Sequence, residues 1–175
     1  MNISIGWQHL LAALLLAGCA GAAQANMDIK FSGVLQVQTC SLKNSEVDVQ
    51  LPDFSVKEFY ERTRTPVANF TIELTGCASV KGKTISIRFD GAEENQLPGY
   101  LSVEGENRGA LGIGIQDTDG RLLKLNAQGQ KTRIENDNLM LTYGAFVEAT
   151  ADAIGKKQVK VGNYKAQASF TFDYE

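Results

Sequence analysis

Hydrophobic and polar side chains alternate along much of the chain from residue 27 onward. Alternation with a period of two places successive side chains on opposite faces of an extended strand. The pattern predicts strands at 29–37, 47–51, 67–74, 84–89, 112–116, 139–147 and 165–174. Residues 149–155 are compatible with a short helical turn, and residues 53–62 fit neither the strand period nor the helix period clearly.

Turn-forming residues separate these strands at intervals of roughly ten residues. They include Asp90-Gly91, Pro98-Gly99 and Asp119-Gly120. Short strands at this spacing favour an all-β antiparallel sandwich or barrel. Neither an internal repeat nor a linker rich in Pro or Ser divides residues 26–175. We therefore expect one folded domain.

The first 25 residues differ from the rest because they contain no charged side chain. An apolar run at 10–17 is followed by small residues that end in Ala23-Gln24-Ala25. This arrangement predicts a signal peptide over residues 1–25, and the run is shorter than the ~20 residues of a membrane span. An alternative stays open, since the four residues 16–19 resemble a lipobox in which Cys19 would carry the lipid.

Removal of the leader would leave a chain without His or Trp, because His9 and Trp7 both lie within it. Without an imidazole there is no Ser-His or Cys-His couple and no usual nitrogen ligand for a metal. The net charge of −3, with no basic cluster, argues against a nucleic-acid partner. We expect no enzymatic activity, no cofactor and no small-molecule substrate.

Two local patterns suggest a ligand but fit a structural role better. Residues 117–120 resemble a calcium loop, yet Gly120 comes at position 4 where an EF-hand needs glycine at position 6, so a hairpin turn is favoured. Gly109, Gly112 and Gly114 lack the spacing of a dinucleotide loop and are more typical of a bend or a crowded strand.

Two cysteines, Cys40 and Cys77, remain after the leader. In an exported protein such a pair predicts one disulfide, whereas two free thiols would be the expectation in the cytosol. By restricting the unfolded chain, the bridge would stabilise the fold by roughly 3–4 kcal/mol.

The two ends of the mature chain share the clearest alternation. At the N-terminus, one face of a strand would carry Met27, Ile29, Phe31, Gly33 and Leu35. At the C-terminus, one face would carry Ala168, Phe170, Phe172 and Tyr174. Periodicity alone would make these the ordinary first and last strands of a sandwich.

Taken together, these features resemble those of pilus subunits assembled by the chaperone and usher route, including type 1 and P pili. The resemblance covers nearly the whole chain. It rests on Cys40 and Cys77, the aromatic penultimate residue Tyr174, Gly162 at the fourteenth position from the C-terminus, and the segment 29–33 before the first cysteine. The stretches 97–104 and 111–120 are most similar to minor tip subunits of P-type pili.

This resemblance implies an immunoglobulin-like β-sandwich that lacks its final strand and is completed by a donor strand. Residues 26–36 would be the donor-strand extension and residues 37–175 the pilin domain. The donor face would consist of Met27, Ile29, Phe31, Gly33 and Leu35. The edge that binds the chaperone would comprise Gly162, Ala168, Phe170, Phe172, Tyr174 and Glu175.

The implied partners are a periplasmic chaperone, an outer-membrane usher and neighbouring subunits, and the implied location is a surface pilus reached through the periplasm. The implied function is that of a minor tip adaptor, with a rod or terminator subunit as the alternative. A two-domain adhesin would need about twice this length. Readings from other classes are a carbohydrate-binding sandwich, disfavoured by the absence of Trp, and a carboxylate-based hydrolase, disfavoured for want of an acid pair.

Overall fold

A computed structural model describes residues 39–175, and in that range the chain folds as strands with two short helices. The predicted strand 29–37 and the predicted leader lie outside the described residues. The strands are β1 (Ser41–Leu42), β2 (Ala68–Thr75), β3 (Thr84–Asp90), β4 (Glu93–Glu94), β5 (Leu97–Ser102), β6 (Leu111–Gln116), β7 (Thr132–Arg133), β8 (Leu139–Ala149) and β9 (Ser169–Tyr174). The helices are α1 (Val56–Arg62) and α2 (Ala151–Gly155), and a 3₁₀ turn spans Cys77–Val80.

The strands form two antiparallel sheets. One has six strands in the order β1-β2-β8-β6-β5-β4, and the other has three in the order β7-β3-β9. The all-β sandwich predicted from the spacing of turns is confirmed. Five of the predicted strands correspond to β2, β3, β6, β8 and β9.

The core forms between the inward rows of the two sheets, because alternate residues of each strand point the same way. Ile72 and Leu74 of β2 are 1% exposed, and Ile85, Ile87 and Phe89 of β3 are 1–5% exposed. The buried Phe89 packs against two partly buried rings: its centroid lies 5.3 Å from that of Tyr143 and 6.3 Å from that of Phe70. Edge-on packing of this kind adds to the stability that burial alone provides.

Helix α1 resolves the ambiguous stretch 53–62. Ser55 caps the helix in a capping box, since its hydroxyl accepts the Glu58 amide proton at 3.2 Å and the Glu58 carboxylate accepts the Ser55 amide proton at 2.9 Å. Phe59 is the residue that α1 buries in the core. Within residues 39–175, no helix is long and apolar enough to cross a membrane.

Two sequence-based expectations differ from the structure. Pro98-Gly99 suggested a turn, but both residues lie inside β5, where Gly99 adopts a φ of 89° that an L side chain rarely takes. The stretch 47–51 was expected to be a strand, and it keeps the alternating burial of one without a ladder partner among the described residues. A period of two reports which side chains face the core, whereas a strand also needs a neighbour for its backbone.

Strand β3 is paired along both of its edges. On one side it pairs with β9 from Ile85–Tyr174 to Asp90–Ser169. On the other it pairs with β7, and the loop before β7 continues that edge: the Gly129 amide donates to the Ile87 carbonyl at 2.9 Å. Within residues 39–175 the borders of this sheet are therefore the two-residue strand β7 and the longer strand β9.

The two glycines of β6 lie on the outer face of the large sheet, where Gly112 faces Leu97 and the Cβ of Tyr100, and Gly114 lies beneath two aromatic rings. Leu111, Ile113 and Ile115 point into the core, while a Cβ at Gly114 would stand 2.6 Å from Phe146 Cζ and 2.8 Å from Tyr100 Cε1. The sequence-based reading of a crowded strand is confirmed here.

We expect Gly114→Ala to destabilise the protein by about 1–3 kcal/mol, because the methyl group would displace packed rings. Gly155→Ala is the matched control, since a Cβ at Gly155 would meet no atom within 4 Å. Urea unfolding of the two variants checks this prediction. Equal midpoints would contradict it.

Candidate functional site

Strand β9 is the one long strand whose outer edge has no partner among residues 39–175. Its inward residues lie directly opposite those of β3: Phe172 faces Ile87 and Phe170 faces Phe89. Ile87 and Phe89 are buried, whereas Phe170 and Phe172 are only half-buried. Neighbouring strands on one face of a sheet are usually covered to a similar extent, so apolar surface remains uncovered on the outer side of β9.

The same alternation begins before β9. Tyr164, Ala166 and Ala168 are half-buried, and Lys165 and Gln167 between them are exposed. The half-buried apolar row therefore runs from Tyr164 to Tyr174, which is longer than the strand itself. We call β9 the second rim and the stretch 47–51, described next, the first rim.

A matching row lies on the stretch 47–51, which we call the first rim. Val47, Val49 and Leu51 are half-buried, and Asp48 and Gln50 are exposed. These side chains pack against the same buried core as Phe170 and Phe172. Both rims are thus extended segments with an apolar face turned to one core and, within the described residues, an unpaired backbone edge.

The C-terminal end of the second rim is held firmly in the small sheet. Glu175 and Thr84 exchange two backbone hydrogen bonds of 2.9 Å each, and the Glu175 carboxylate also forms an ion pair with Lys131. Burial raises the pKa of the Tyr174 hydroxyl, and the nearby Cys40 backbone partly offsets that rise. The penultimate tyrosine packs against the buried cluster that contains Cys40 and Cys77, beside the disulfide.

The disulfide predicted from the two cysteines is present. Cys40 and Cys77 are bonded, with Cα atoms 4.4 Å apart, and both residues are buried. Asp137 holds the second cysteine from the far side, because its carbonyl accepts the Cys77 amide proton and its carboxylate accepts the Ala78 amide proton, each at 2.9 Å. The stretch that leads to the first rim is therefore tied covalently to the end of β2.

The residues expected to bind a chaperone divide between the strand and its approach. Phe170, Phe172 and Tyr174 lie on β9, and Ala168 immediately precedes it. Gly162 lies in an exposed bend earlier in the chain, with a φ of 152°. The expected donor face lies outside the described residues: Met27, Ile29, Phe31, Gly33 and Leu35.

Reasoning from the sequence missed the partner row on the first rim as part of a site. The alternation of Val47, Val49 and Leu51 was visible, but nothing in it distinguishes a paired strand from an unpaired one. Within residues 39–175 we find no group of three or more His, Cys, Asp or Glu side chains placed to hold a metal ion.

Comparison with known proteins places this architecture in a family. The family described as "Fimbrial protein" matches residues 29–175. The Escherichia coli protein named fimbrial adapter PapK is 37% identical over 171 residues, which cover 93% of this chain and 96% of that protein. A putative minor fimbrial subunit of Proteus mirabilis, PmfF, is 25% identical over 155 residues, which cover 85% of this chain and 84% of that protein.

Among solved structures, the crystal structure of the P pilus rod subunit PapA is similar with a TM-score of 0.67 at 22% identity, covering 78% of this chain and 99% of that one. The chain belongs to the fimbrial protein family. It has the immunoglobulin-like pilin fold and is a structural pilus subunit, as the resemblance seen in the sequence implied. The matched relatives are named as fimbrial subunits rather than enzymes.

The contrast between β3 and β9 can be measured with matched phenylalanines. Phe89→Ala should lower the free energy of unfolding by about 3–5 kcal/mol, the usual range for a buried phenylalanine. Phe172→Ala should lower it by less than about 2 kcal/mol, because the ring is only partly removed from water. Equal losses in urea unfolding of the two variants would mean that the second rim is already covered.

Proposed function

We propose that this chain is a minor tip-adaptor subunit, and that a strand from another protein inserts between its two rims. The observation that carries the proposal is the half-buried row Phe170 and Phe172 beside the fully buried row Ile87 and Phe89 of the same sheet. A strand laid along β9 would cover that row and extend the backbone ladder of the small sheet. The immunoglobulin-like sandwich would then be complete.

An unpaired edge with apolar side chains is a hazard for a free protein, because it can pair with any extended chain. The short edge strands β1, β4 and β7 avoid this hazard by their length of two residues each. Strand β9 has six residues and no such protection within the described chain. A dedicated partner that occupies the edge until assembly is the physical remedy, which supports a periplasmic chaperone as the first occupant.

The second occupant is the N-terminal extension of a neighbouring subunit, and residues 26–36 of this chain serve the preceding subunit in the same way. Four apolar residues share one face of that extension, with glycine as the fifth: Met27, Ile29, Phe31, Leu35 and Gly33. Their burial supplies at most roughly 10 kcal/mol, besides the main-chain hydrogen bonds. Gly33 lets the backbone approach where a side chain would not fit.

The C-terminus suits the chaperone step. Ala168, Phe170, Phe172 and Tyr174 present the edge, Gly162 begins the approach to it, and the terminal carboxylate of Glu175 matches basic groups on the chaperone. After signal-peptide removal the subunit passes through the periplasm and an outer-membrane usher to the pilus. The identity of 37% to a protein named fimbrial adapter favours an adaptor over a rod or terminator subunit.

The first test is expression in the periplasm with and without a cognate chaperone. Without the chaperone we expect degradation or aggregation, because the apolar edge is left uncovered. Co-expression should restore a soluble one-to-one complex, measured by size-exclusion chromatography. A monodisperse monomer obtained without any chaperone would contradict the proposal.

The second test concerns the extension. Gly33→Leu should leave the chaperone complex intact and prevent insertion into the preceding subunit, because the added side chain blocks close approach of the backbone. Ser32→Leu is the matched control, since Ser32 lies on the opposite face of the predicted strand. Insertion is followed by mixing each variant with chaperone-bound candidate neighbours on native gels. Equal insertion of both variants would remove Gly33 from the donor face.

A further inference from the structure

Asn107 makes an unusual contact with the segment that leads into the second rim. The residue is 1% exposed. Its side-chain NH2 group donates to the Lys160 backbone carbonyl at 2.9 Å, and its side-chain oxygen accepts the Lys160 backbone amide proton at 2.8 Å. One side chain thus pairs with the backbone of a single residue in both directions, as a neighbouring strand would. The contact joins parts of the chain 53 residues apart.

The loop that carries Asn107 is itself fixed to the large sheet. The backbone carbonyl of Asn107 accepts the amide protons of Ala110 at 2.9 Å and Leu111 at 3.1 Å, at the start of β6. The Thr150 amide, just beyond β8, donates to the Ala110 carbonyl at 2.9 Å. Backbone hydrogen bonds therefore fix Asn107 in place beside the six-stranded sheet.

Two further contacts follow the same segment toward β9. A Cβ at Gly105 would lie 3.1 Å from the Asn163 carbonyl oxygen, so the two backbones run close together. The Glu104 amide donates to the Lys165 carbonyl at 2.8 Å. Tyr164 lies between these points, and it is the first member of the half-buried row that continues into β9.

We propose that Asn107 is a positioning residue that sets the second rim for strand insertion by holding residues 160–165 against the large sheet. The inference rests on the proposed strand insertion. Strand β9 has a ladder partner on one side only within the described chain, so the approach segment is what fixes its N-terminal end, as the Thr84 pairing fixes its C-terminal end. A rim held at both ends is preorganised for the incoming strand, which lowers the entropy lost on insertion.

The matched control is another asparagine with the same type of contact. The Asn126 side chain accepts the Gly91 amide proton at 3.3 Å and donates to the Gly91 carbonyl at 3.4 Å. Its backbone amide pairs with Phe89 on the edge of β3 that faces away from β9. Asn126→Gly therefore removes a two-bond side-chain contact to the backbone without touching the segment 160–165, and glycine fits the φ of 57° at this position.

The experiment compares Asn107→Ala with Asn126→Gly in the full mature chain purified as its chaperone complex, because the free chain is expected to aggregate. Hydrogen exchange monitored by mass spectrometry should rise about tenfold over residues 160–174 in Asn107→Ala, with less than about a twofold change over β2 and β8. Capture of synthetic peptides with the N-terminal extensions of candidate neighbouring subunits should slow by about tenfold in Asn107→Ala, and by less than about twofold in Asn126→Gly.

A uniform rise in exchange over all strands, or unchanged exchange at 160–174, would overturn the role of Asn107. Peptide capture at the wild-type rate would do the same. If the wild-type chain captures none of the neighbouring-subunit peptides, strand insertion is contradicted, while the exchange pattern still decides whether Asn107 holds the segment. Should Asn107→Ala fail to fold, Asn107→Asp keeps the bond from the Lys160 amide, loses the one to its carbonyl, and answers the same question.

Discussion

The structure depends on one constraint: a strand buried on its inward face needs a neighbour on each side. Strand β3 meets this constraint, with β9 along one edge and β7 with its preceding loop along the other. Strand β9 meets it on one side only, within residues 39–175. The half-exposed phenylalanines of β9, the pattern of the first rim and the pilin fold are all consistent with that single missing neighbour.

The large sheet, the disulfide and the contacts around the two rims hold the fold together despite the open edge of β9. The six-stranded sheet is packed on its inward face by Ile72, Leu74 and their neighbours, and its outer face is tightened by rings over the glycines of β6. The disulfide fixes the approach to the first rim, the Thr84 contacts fix the C-terminal end of the second rim, and the Asn107 contacts hold the segment that leads into it. Stability concentrated in one sheet lets the other keep an open edge without unfolding.

Sequence reasoning predicted the sandwich, the disulfide and most long strands, because turn spacing and a period of two are local properties. It misjudged Leu97–Ser102, where Pro98 and Gly99 are tolerated inside a strand, and it could not tell that residues 47–51 lack a ladder partner within 39–175. Pairing is decided by residues distant in sequence. Asn107 escaped notice for the same reason, since only the fold brings it to Lys160.

The lengths of the sheet borders have a consequence for how such molecules join. Strands β1, β4 and β7 close the other borders with two residues each, too few to template a stable junction. Among the described residues this leaves β9 as the one long strand at a sheet border. Subunits that each carry one acceptor edge and one donor segment, as we propose, join head to tail. A fibre built in this way lengthens without branching or lateral association.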